Sequence, residues 1–415
     1  MKKRIAKILV PFFMSLTLLT ACQKTPEVSS DDEILRAKGP SEDAVEAIVN
    51  GKEEGSLETT EEAAGVSDGT DETAGSGTKA VSKDAEAVSV VLGGGESRMK
   101  IDAEVAAVPD TVSTLIMQAD SGLDEAALRD FLEPQGEVKD ITEEVLAAEE
   151  AERQRVAEID EKLGEGSSML EIAGVGDGSR IALTDGNRKA ILFGKTGGSY
   201  EDALLREKCY VSAKEEAQKL DIKDMEAGDS AFSLQDAKAL LVRKLSLLGI
   251  EDIHLSIAYI YGQDGFLFYE MQFSPVVEGI PVADSFGQQD IARVYPEGIA
   301  WVCEEGVVNV EVWNCCMEQA SEVKNGKILS FSKVQELLGT YLDDGSLQCA
   351  EDVPFSMAEL VYYVERKDGK LELVPMWSIH MDLEKYVEYV GQTGRSDFVW
   401  NIYIDAVTGE LAGAE

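Results

Sequence analysis

Histidine and cysteine carry much of the metal and nucleophilic chemistry of proteins, so their number and spacing limit what a chain can do. The 415 residues include only two histidines, His254 and His380. There is no His-Glu-x-x-His motif and no Cys-x-x-Cys pair, which argues against a zinc protease and a thioredoxin-like enzyme. Each histidine lies at an end of a predicted strand, where a structural role is the simplest interpretation. We therefore predict no catalytic residue, no metal site and no cofactor.

Carboxylates are abundant, and they are the basis of an alternative function. The chain has 79 Asp and Glu residues against 38 Lys and Arg, a net charge of −41. Such a charge repels phosphate backbones, so nucleic acid is excluded as a partner. Glycoside hydrolysis needs two carboxylates about 5–10 Å apart in a cleft. No pair stands out among so many, and a cell-wall or glycan hydrolase remains the alternative.

Six cysteines are the remaining reactive groups. Five of them follow Cys22, an odd number for a fully disulfide-bonded exported chain. A bond between the adjacent Cys315 and Cys316 would close a strained ring. The sequence leaves two readings open, disulfides and buried free thiols that act as small apolar side chains, and favours the second. The five are Cys209, Cys303, Cys315, Cys316 and Cys349.

The first 22 residues have the features of an export signal. A basic head precedes an apolar stretch from Ile8 to Leu19, which is too short to cross a bilayer. It ends in Leu19-Thr20-Ala21-Cys22, which resembles the lipobox of bacterial lipoproteins. The resemblance implies removal of the signal peptide 1–21, a diacylglycerol on the Cys22 thiol and anchoring on the extracytoplasmic face of the cell membrane. An ordinary signal peptide with a chance cysteine is the alternative.

Residues 22–88 are predicted to form a disordered acidic tether. No aromatic residue occurs between Phe13 and Phe131. A stretch so poor in large apolar side chains cannot bury enough surface to offset its chain entropy. The tether is expected to act as a spacer between the lipid and the ordered body.

Residues 89–225 are predicted to form an N-terminal region, a small α/β segment with a long helix and a hairpin. The pattern of Met99–Val105 alternates apolar and polar residues, as a half-buried strand does. Residues 141–163 have the composition of a long, largely solvated helix. Asp185-Gly186 is a typical tight turn between two strands.

Residues 226–325 and 326–415 repeat one order of elements, which predicts two similar units. Helices beginning at Ser233 and Ser332 each lead into a hairpin, and a second pair of strands closes each unit. The closing pairs are expected from 291 through Gly298 in the first unit and from 399 through Gly409 in the second. The predicted fold class is α+β, with antiparallel sheets each packed by a helix.

Short motifs in these units resemble PepSY-type domains. The strand Pro375–Ile379 and the later Asp405-Ala-Val-Thr-Gly-Glu410 match the strand and closing turn of those domains, and Gly279-Ile-Pro-Val282 resembles a stretch of related propeptide domains. The tandem is similar to the extracytoplasmic regulators of the Yyc (Wal) histidine kinase system. The resemblance covers roughly residues 230–412. It implies a binding, inhibitory or regulatory role outside the membrane and transfers no catalytic residue.

Tyr362 and Tyr363 are the candidate partner-binding surface. Neighbouring residues of a strand point to opposite faces, so one of the two is expected on the outer face of its sheet, where an exposed aromatic marks a contact site. A second layer that covers that face is the alternative. The sequence thus predicts a lipid-anchored extracytoplasmic binding or regulatory lipoprotein without catalytic activity that contacts a protein or peptide partner at the cell surface.

Overall fold

The computed structural model describes the chain from Glu86 onward, with gaps. The predicted signal peptide, Cys22 and nearly all of the predicted tether lie outside the described residues. In the described ranges, no helix combines the length and the apolar character needed to cross a bilayer. The structure describes residues 86–94, 97–118, 123–163, 180–193, 196–212, 217–229, 231–263, 266–283, 296–316, 318–350, 352–367, 370–381, 383–395 and 398–414.

Strands dominate the described residues, and helices are few. In chain order the strands are β1 (Glu86–Leu92), β2 (Met99–Val105), β3 (Thr111–Gln118), β4 (Lys139–Asp140), β5 (Arg180–Thr184), β6 (Arg188–Phe193), β7 (Gly197–Asp202), β8 (Gln218–Lys219), β9 (Gly228–Asp229), β10 (Phe232–Ser233), β11 (Ile253–Gln263), β12 (Phe266–Val277), β13 (Ile280–Pro281), β14 (Glu297–Cys303), β15 (Gly306–Trp313), β16 (Glu318–Lys327), β17 (Pro354–Lys367), β18 (Lys370–His380), β19 (Asn401–Asp405) and β20 (Leu411–Ala414). The helices are α1 (Glu125–Leu132), α2 (Thr142–Leu163), α3 (Ala203–Ser212), α4 (Leu234–Leu245), α5 (Phe331–Asp343) and α6 (Leu383–Thr393), with a 3-10 turn at Ser246–Leu248.

Two large, mainly antiparallel sheets contain most of the strands. The ten-stranded sheet has the order β4-β5-β6-β7-β15-β14-β12-β11-β8, with β13 paired to β12. The eight-stranded sheet has the order β1-β2-β17-β18-β19-β20, with β3 paired to both β16 and β18. The pair β2–β17 is parallel. This architecture confirms the predicted α+β fold class.

The two C-terminal units share their strand order. In the first unit the hairpin β11–β12 is followed across the sheet by β14 and β15. In the second unit the hairpin β17–β18 is followed by β19 and β20. Each unit also begins with a helix, α4 or α5, that buries its apolar side chains, and the second unit has a further helix, α6, between β18 and β19. In the described residues, the two units therefore share an initial helix followed by one order of four strands.

The strands of residues 89–225 are divided between the two sheets. β1, β2 and β3 belong to the eight-stranded sheet, while β4 to β7 extend the ten-stranded sheet. β2 joins the eight-stranded sheet because the apolar side chains on one of its faces are buried in the same core as α5. These side chains, which alternate with exposed residues, are Met99, Ile101, Ala103 and Val105. The long helix and the hairpin around Asp185 are present as predicted.

Two boundaries predicted from the sequence are wrong. The second unit's helix begins at Phe331, and its N-cap is Ser330, whose side chain accepts a hydrogen bond from the Lys333 backbone N–H. Phe331 lies inside the helix because its ring packs on Trp377, with 5.3 Å between centroids. The closing pair of the first unit is β14–β15, later in the chain than expected, and residues 291–295 lie outside the described residues.

Candidate binding cleft between the two sheets

A cavity of about 710 Å³ lies between the eight-stranded sheet and one end of the ten-stranded sheet. Both histidines of the chain, His254 and His380, line it. One wall is the face of β17, β18 and β19 that points away from α5. The other side is formed by β11, the segment after β8 and the short segment after β13. Residues that are far apart in the sequence therefore share this cleft.

The sheet wall presents two adjacent rows of side chains. Strand register places residues of β17, β18 and β19 directly opposite one another, and residues two apart on a strand share a face. The first row contains Glu359, Ser378 and Tyr403, and the second contains Met357, His380 and Asn401. Five of these six side chains are polar, which is unusual on a sheet face with so little solvent exposure.

Hydrogen bonds link four of the polar side chains into a chain. Ser378 Oγ donates to Asn401 Oδ1 at 3.1 Å, and Asn401 Nδ2 donates to Tyr403 Oη at 2.8 Å. His380 Nδ1 lies 3.1 Å from Ser378 Oγ. The Ser378 hydroxyl has a single proton, so the direction of its contact with His380 Nδ1 depends on the histidine tautomer. Ser378 is only 3% exposed, so the bonded network replaces the water that its hydroxyl loses.

The chain of hydrogen bonds ends beside the carboxylate of Glu359. His380 Nε2 lies 3.8 Å from Glu359 Oε1, too far for a hydrogen bond, and the two side chains are 20% and 18% exposed. A neutral imidazole with its proton on Nδ1 would present Nε2 as an acceptor beside this carboxylate. A donor from a ligand would satisfy both groups. The alternative is an imidazolium that pairs with Glu359.

This arrangement favours recognition over nucleophilic catalysis. A serine nucleophile needs a base that takes its proton. Here the Ser378 hydroxyl donates to the amide oxygen of Asn401, which is not a base. The network therefore orients His380 through Ser378 and Asn401.

The edge of β11 forms the opposite side of the cleft. β8 pairs with β11 only at Tyr259 and Ile260, and the Leu220 backbone N–H then donates to Ala258 O at 2.9 Å. Beyond this point the chain leaves the edge and lines the cleft through the 221–225 segment. Among the described residues, no strand pairs with this edge from Ile253 to Ile257.

A short segment connects the two sheets at the cleft. The Ala283 backbone N–H donates to Tyr362 O at 2.8 Å, and Val282 bridges Tyr362 in parallel. The Val282 backbone N–H also donates to Pro275 O of β12 at 2.9 Å. The segment therefore connects the backbone of β12 in one sheet to the backbone of β17 in the other.

The charged groups of the cleft are more balanced than those of the chain. Lys219, Lys223 and Lys238 line it together with Asp221 and Glu359. Two of the lysines have partners outside the lining, because Lys223 Nζ lies 2.5 Å from Glu104 and Lys238 Nζ lies 3.3 Å from Asp252. In a chain with a net charge of −41, this lining does not repel an anionic group as the rest of the surface does.

The expectation of an exposed tyrosine in β17 is wrong. Tyr362 is 0% exposed, and its hydroxyl donates to Ser113 O at 3.2 Å. Tyr363 points to the opposite face, as predicted, but is only 7% exposed because it packs on Tyr403, with 4.8 Å between ring centroids. Ala283 belongs to the same cluster. Long-range packing thus covers both faces. The long helix α2 does not provide this cover, because it packs on β5, where Arg180 pairs with Glu149.

Sequence reasoning missed the polar row of the cleft wall. Ser378 and His380 are two residues apart in a predicted strand, which is the available signal that they share a face. Asn401 follows Trp400 at the start of another predicted strand. Their contact depends on the register of β18 with β19, which short motifs do not specify.

Two half-buried carboxylates, Glu270 and Glu311, lie on the other sheet, on the face away from α4. Burial raises the pKa of Glu270, although hydrogen bonds from Tyr261 and Trp301 oppose the shift. Burial also raises the pKa of Glu311, against the attraction of Arg206. Register places both on one face, on strands separated by β14. These two carboxylates are the candidate pair for the alternative function, a glycan hydrolase.

The five described cysteines are buried free thiols. Burial raises the pKa of Cys209, Cys316 and Cys349 to about 12 and also raises the pKa of Cys303 and Cys315. Thiolates are the form that binds metals and attacks electrophiles. Within the described ranges, no three His, Cys, Asp or Glu side chains are grouped so that they could hold a metal ion.

Comparison with known proteins gives a structural similarity and no function. No family model matches the chain, and no curated protein matches it. Among solved structures, the chain is similar to an uncharacterized protein from Eubacterium rectale ATCC 33656. The sequence identity is 12%, the TM-score is 0.44, and the match covers 76% of this chain and 91% of that one.

Proposed function

We propose that this chain is a lipid-anchored binding protein without catalytic activity on the extracytoplasmic face of the membrane, and that the cleft between the two sheets binds its ligand. The lipid on Cys22 would hold the protein at the membrane, and the acidic tether would separate the ordered body from the surface. The ligand is a protein or peptide partner at the cell surface.

The observation that supports this function is the cleft itself. Its volume of about 710 Å³ is within the range of ligand sites, roughly 300–1,000 Å³. Its walls combine apolar side chains with a small number of convergent polar groups, which is the usual composition of such sites. The buried network at Ser378 holds His380 in one orientation before any ligand arrives. Such preorganisation lowers the cost of binding.

The test is binding of a pool of randomised pentapeptides to the full chain. The retained peptides are identified by mass spectrometry, and thermal unfolding is measured with and without them. We expect a subset to be retained intact and to raise the melting temperature, because a ligand that binds only the folded state stabilises it. If no peptide is retained, or if the peptides are recovered shortened, the proposal is wrong.

Ser378→Ala locates the binding site. The substitution removes the bonds to Asn401 and His380, so we expect peptide affinity to fall by about tenfold while the protein loses only about 1–3 kcal/mol of stability. Ser89→Ala on the edge strand β1 is the matched control, because Ser89 is an exposed serine in a strand. Equal peptide affinities of the two variants would show that the cleft is not the binding site.

Membrane anchoring is tested by Cys22→Ala. We expect wild-type protein in the membrane fraction with incorporated fatty acid, and the variant without it. A variant that is labelled and retained like the wild type would contradict lipidation at Cys22.

A glycan hydrolase is the second candidate, favoured by Glu270 and Glu311. Both carboxyl groups have raised pKa values, as a general acid requires, and aromatic side chains accompany Glu270. Incubation with cell-wall glycan fragments tests this function. Cleavage that is lost in both Glu270→Gln and Glu311→Gln would establish it in place of the binding function, whereas intact fragments would exclude these carboxylates as a hydrolytic pair for that substrate.

A further inference from the structure

Glu359 is a carboxylate of the cleft wall with little access to solvent. Its side chain is 18% exposed, and its ionisable contact is His380, whose Nε2 lies 3.8 Å from Oε1. Among the described residues, no lysine or arginine pairs with this carboxylate. A carboxylate withdrawn from water is costly unless charged or hydrogen-bonding groups compensate it. Within the chain, Glu359 therefore receives only part of that compensation.

The other charged groups of the cleft lining have partners elsewhere. Lys223 pairs with Glu104 at 2.5 Å and Lys238 pairs with Asp252 at 3.3 Å, and neither acidic partner lines the cavity. The second carboxylate of the lining, Asp221, accepts a hydrogen bond from the Lys223 backbone N–H at 2.9 Å. Glu359 is therefore the carboxylate of the lining that suits a positive group from outside the chain.

Lys244 shows, in another part of this chain, which groups hold a buried ammonium. Its Nζ atom lies 2.8 Å from Glu133 Oε2 and donates to Phe131 O. The same atom lies 3.7 Å from the centroid of the Tyr200 ring. A carboxylate, a further acceptor and an aromatic face all attract an ammonium. These three kinds of group together form a site for a primary amine.

The cleft wall contains groups of the same kinds. Glu359 provides the carboxylate, and the aromatic side chains of Trp400 and Tyr403 line the same cavity. Nε2 of a neutral His380 with its proton on Nδ1 would be the further acceptor. A primary ammonium has three N–H donors, so it can contact Oε1 and Nε2 together when these atoms are 3.8 Å apart.

We propose that the ligand of the cleft is a peptide that places a primary ammonium group between Glu359 and His380. This inference rests on the proposed function and specifies the ligand class of the same site. The ammonium belongs either to the free amino terminus of the peptide or to a lysine side chain, and the chemistry of the contact is the same in both. An ion pair gains more in such a partly dehydrated site than at an open surface.

The first experiment compares three pools of randomised pentapeptides on the full chain. The first pool has free amino termini and no lysine or arginine, the second has acetylated amino termini and contains lysine but no arginine, and the third is acetylated and contains neither. We expect the first or the second pool to bind at least about tenfold more tightly than the third, because only the third lacks a primary ammonium. The pool that binds tightly identifies the source of the ammonium.

The possible failures of this experiment are distinguishable. If the third pool is retained as well as the other two, the ammonium contact is wrong and the binding function is unaffected. If no pool is retained, both the contact and the binding function are wrong.

The second experiment tests whether the ammonium contacts Glu359. The probes are the best-retained amine-bearing pentapeptide and the same peptide with that amine acetylated. We expect acetylation to lower the affinity by about tenfold or more in the wild-type chain and by about twofold or less in Glu359→Gln, because the two changes remove the same ion pair. Glutamine keeps the size of the side chain, and melting temperatures check that the variant is folded.

Glu365→Gln is the matched control for this cycle. Glu365 lies on the same strand, β17, is half-buried and does not line the cavity. Acetylation should weaken binding to this variant as much as it weakens binding to the wild type. An effect of acetylation that is as large in Glu359→Gln as in the wild type would overturn the contact with Glu359.

Discussion

The two C-terminal units have the same strand order but use the faces opposite their helices differently. In the first unit, the face of β12 and β14 packs against α3 through Cys209, Phe268 and Cys303. In the second unit, the equivalent face carries the Ser378 network and forms a wall of the cleft. A repeated frame can therefore provide packing in one copy and a polar surface in the other. Recognition of the repeat alone does not locate the site.

The two packing helices, α4 and α5, also differ in the buried polar contact that each one makes. Lys244 and Tyr341 each lie eleven residues after the helix N-cap, Ser233 and Ser330. The Lys244 ammonium donates to Phe131 O, and the Tyr341 hydroxyl donates to Gly409 O at 2.7 Å. Both side chains are buried and bring a polar tip to a backbone carbonyl. The first unit makes this contact with a charged ammonium group, and the second unit makes it with a neutral hydroxyl.

The largest effect is expected from Phe268→Ala in the first unit. Phe268 is fully buried beside Trp301 and Cys209, so its removal leaves a cavity and costs about 3–5 kcal/mol. The urea midpoint of the full chain measures this loss. Ser378→Ala on the equivalent face of the second unit is the comparison and should cost far less. Similar losses would show that the two faces do not differ as described.

The next effect is a pH dependence that Lys244 gives to stability. Burial lowers the Lys244 pKa to about 8, partly offset by the Glu133 carboxylate. The unfolded chain keeps the ordinary lysine pKa, about 10.4, and therefore binds more protons than the folded chain between pH 8 and pH 10. Stability from this group is lowest below pH 8 and rises with pH through that window, by at most about 1.4 kcal/mol per pH unit.

Lys244→Met is expected to remove that rise. Urea unfolding at several pH values between 7 and 10 checks it. Lys238→Met is the matched control, because Lys238 is on the same helix and its side chain is 29% exposed. An unchanged pH slope in Lys244→Met would show that another group causes the dependence.

A smaller effect is expected from Tyr341→Phe in the second unit. The substitution keeps the ring and removes only the hydroxyl that donates to Gly409 O, so we expect a loss of about 1–3 kcal/mol. It introduces no pH slope, because the Tyr341 pKa, raised by burial to about 12, lies above the working range. Tyr386→Phe, on a half-buried ring in α6, is the control. A loss equal to that of the control would mean that the bond to Gly409 contributes nothing measurable.

The fold was largely predictable because its signals are local. The alternation in Met99–Val105, the turn at Asp185-Gly186 and the capping box of Ser233 and Asp236 each depend on residues close in sequence. The site was not predictable for the opposite reason. Tyr363 is buried by Tyr403 and Ala283, which are distant in the chain, and the Ser378 network requires strand register. Periodicity identifies which residues share a face, and it does not show what covers that face.

The buried cysteine thiols allow partial opening of the fold to be measured. A cysteine with a raised pKa and no solvent access reacts with an alkylating reagent only after the surrounding structure has opened. Cys209, Cys303, Cys315 and Cys316 lie in clusters of the ten-stranded sheet, and Cys349 lies in the core of the eight-stranded sheet. Timed alkylation, read by mass spectrometry at each cysteine, therefore measures separately how often each half of the molecule opens and requires no introduced label.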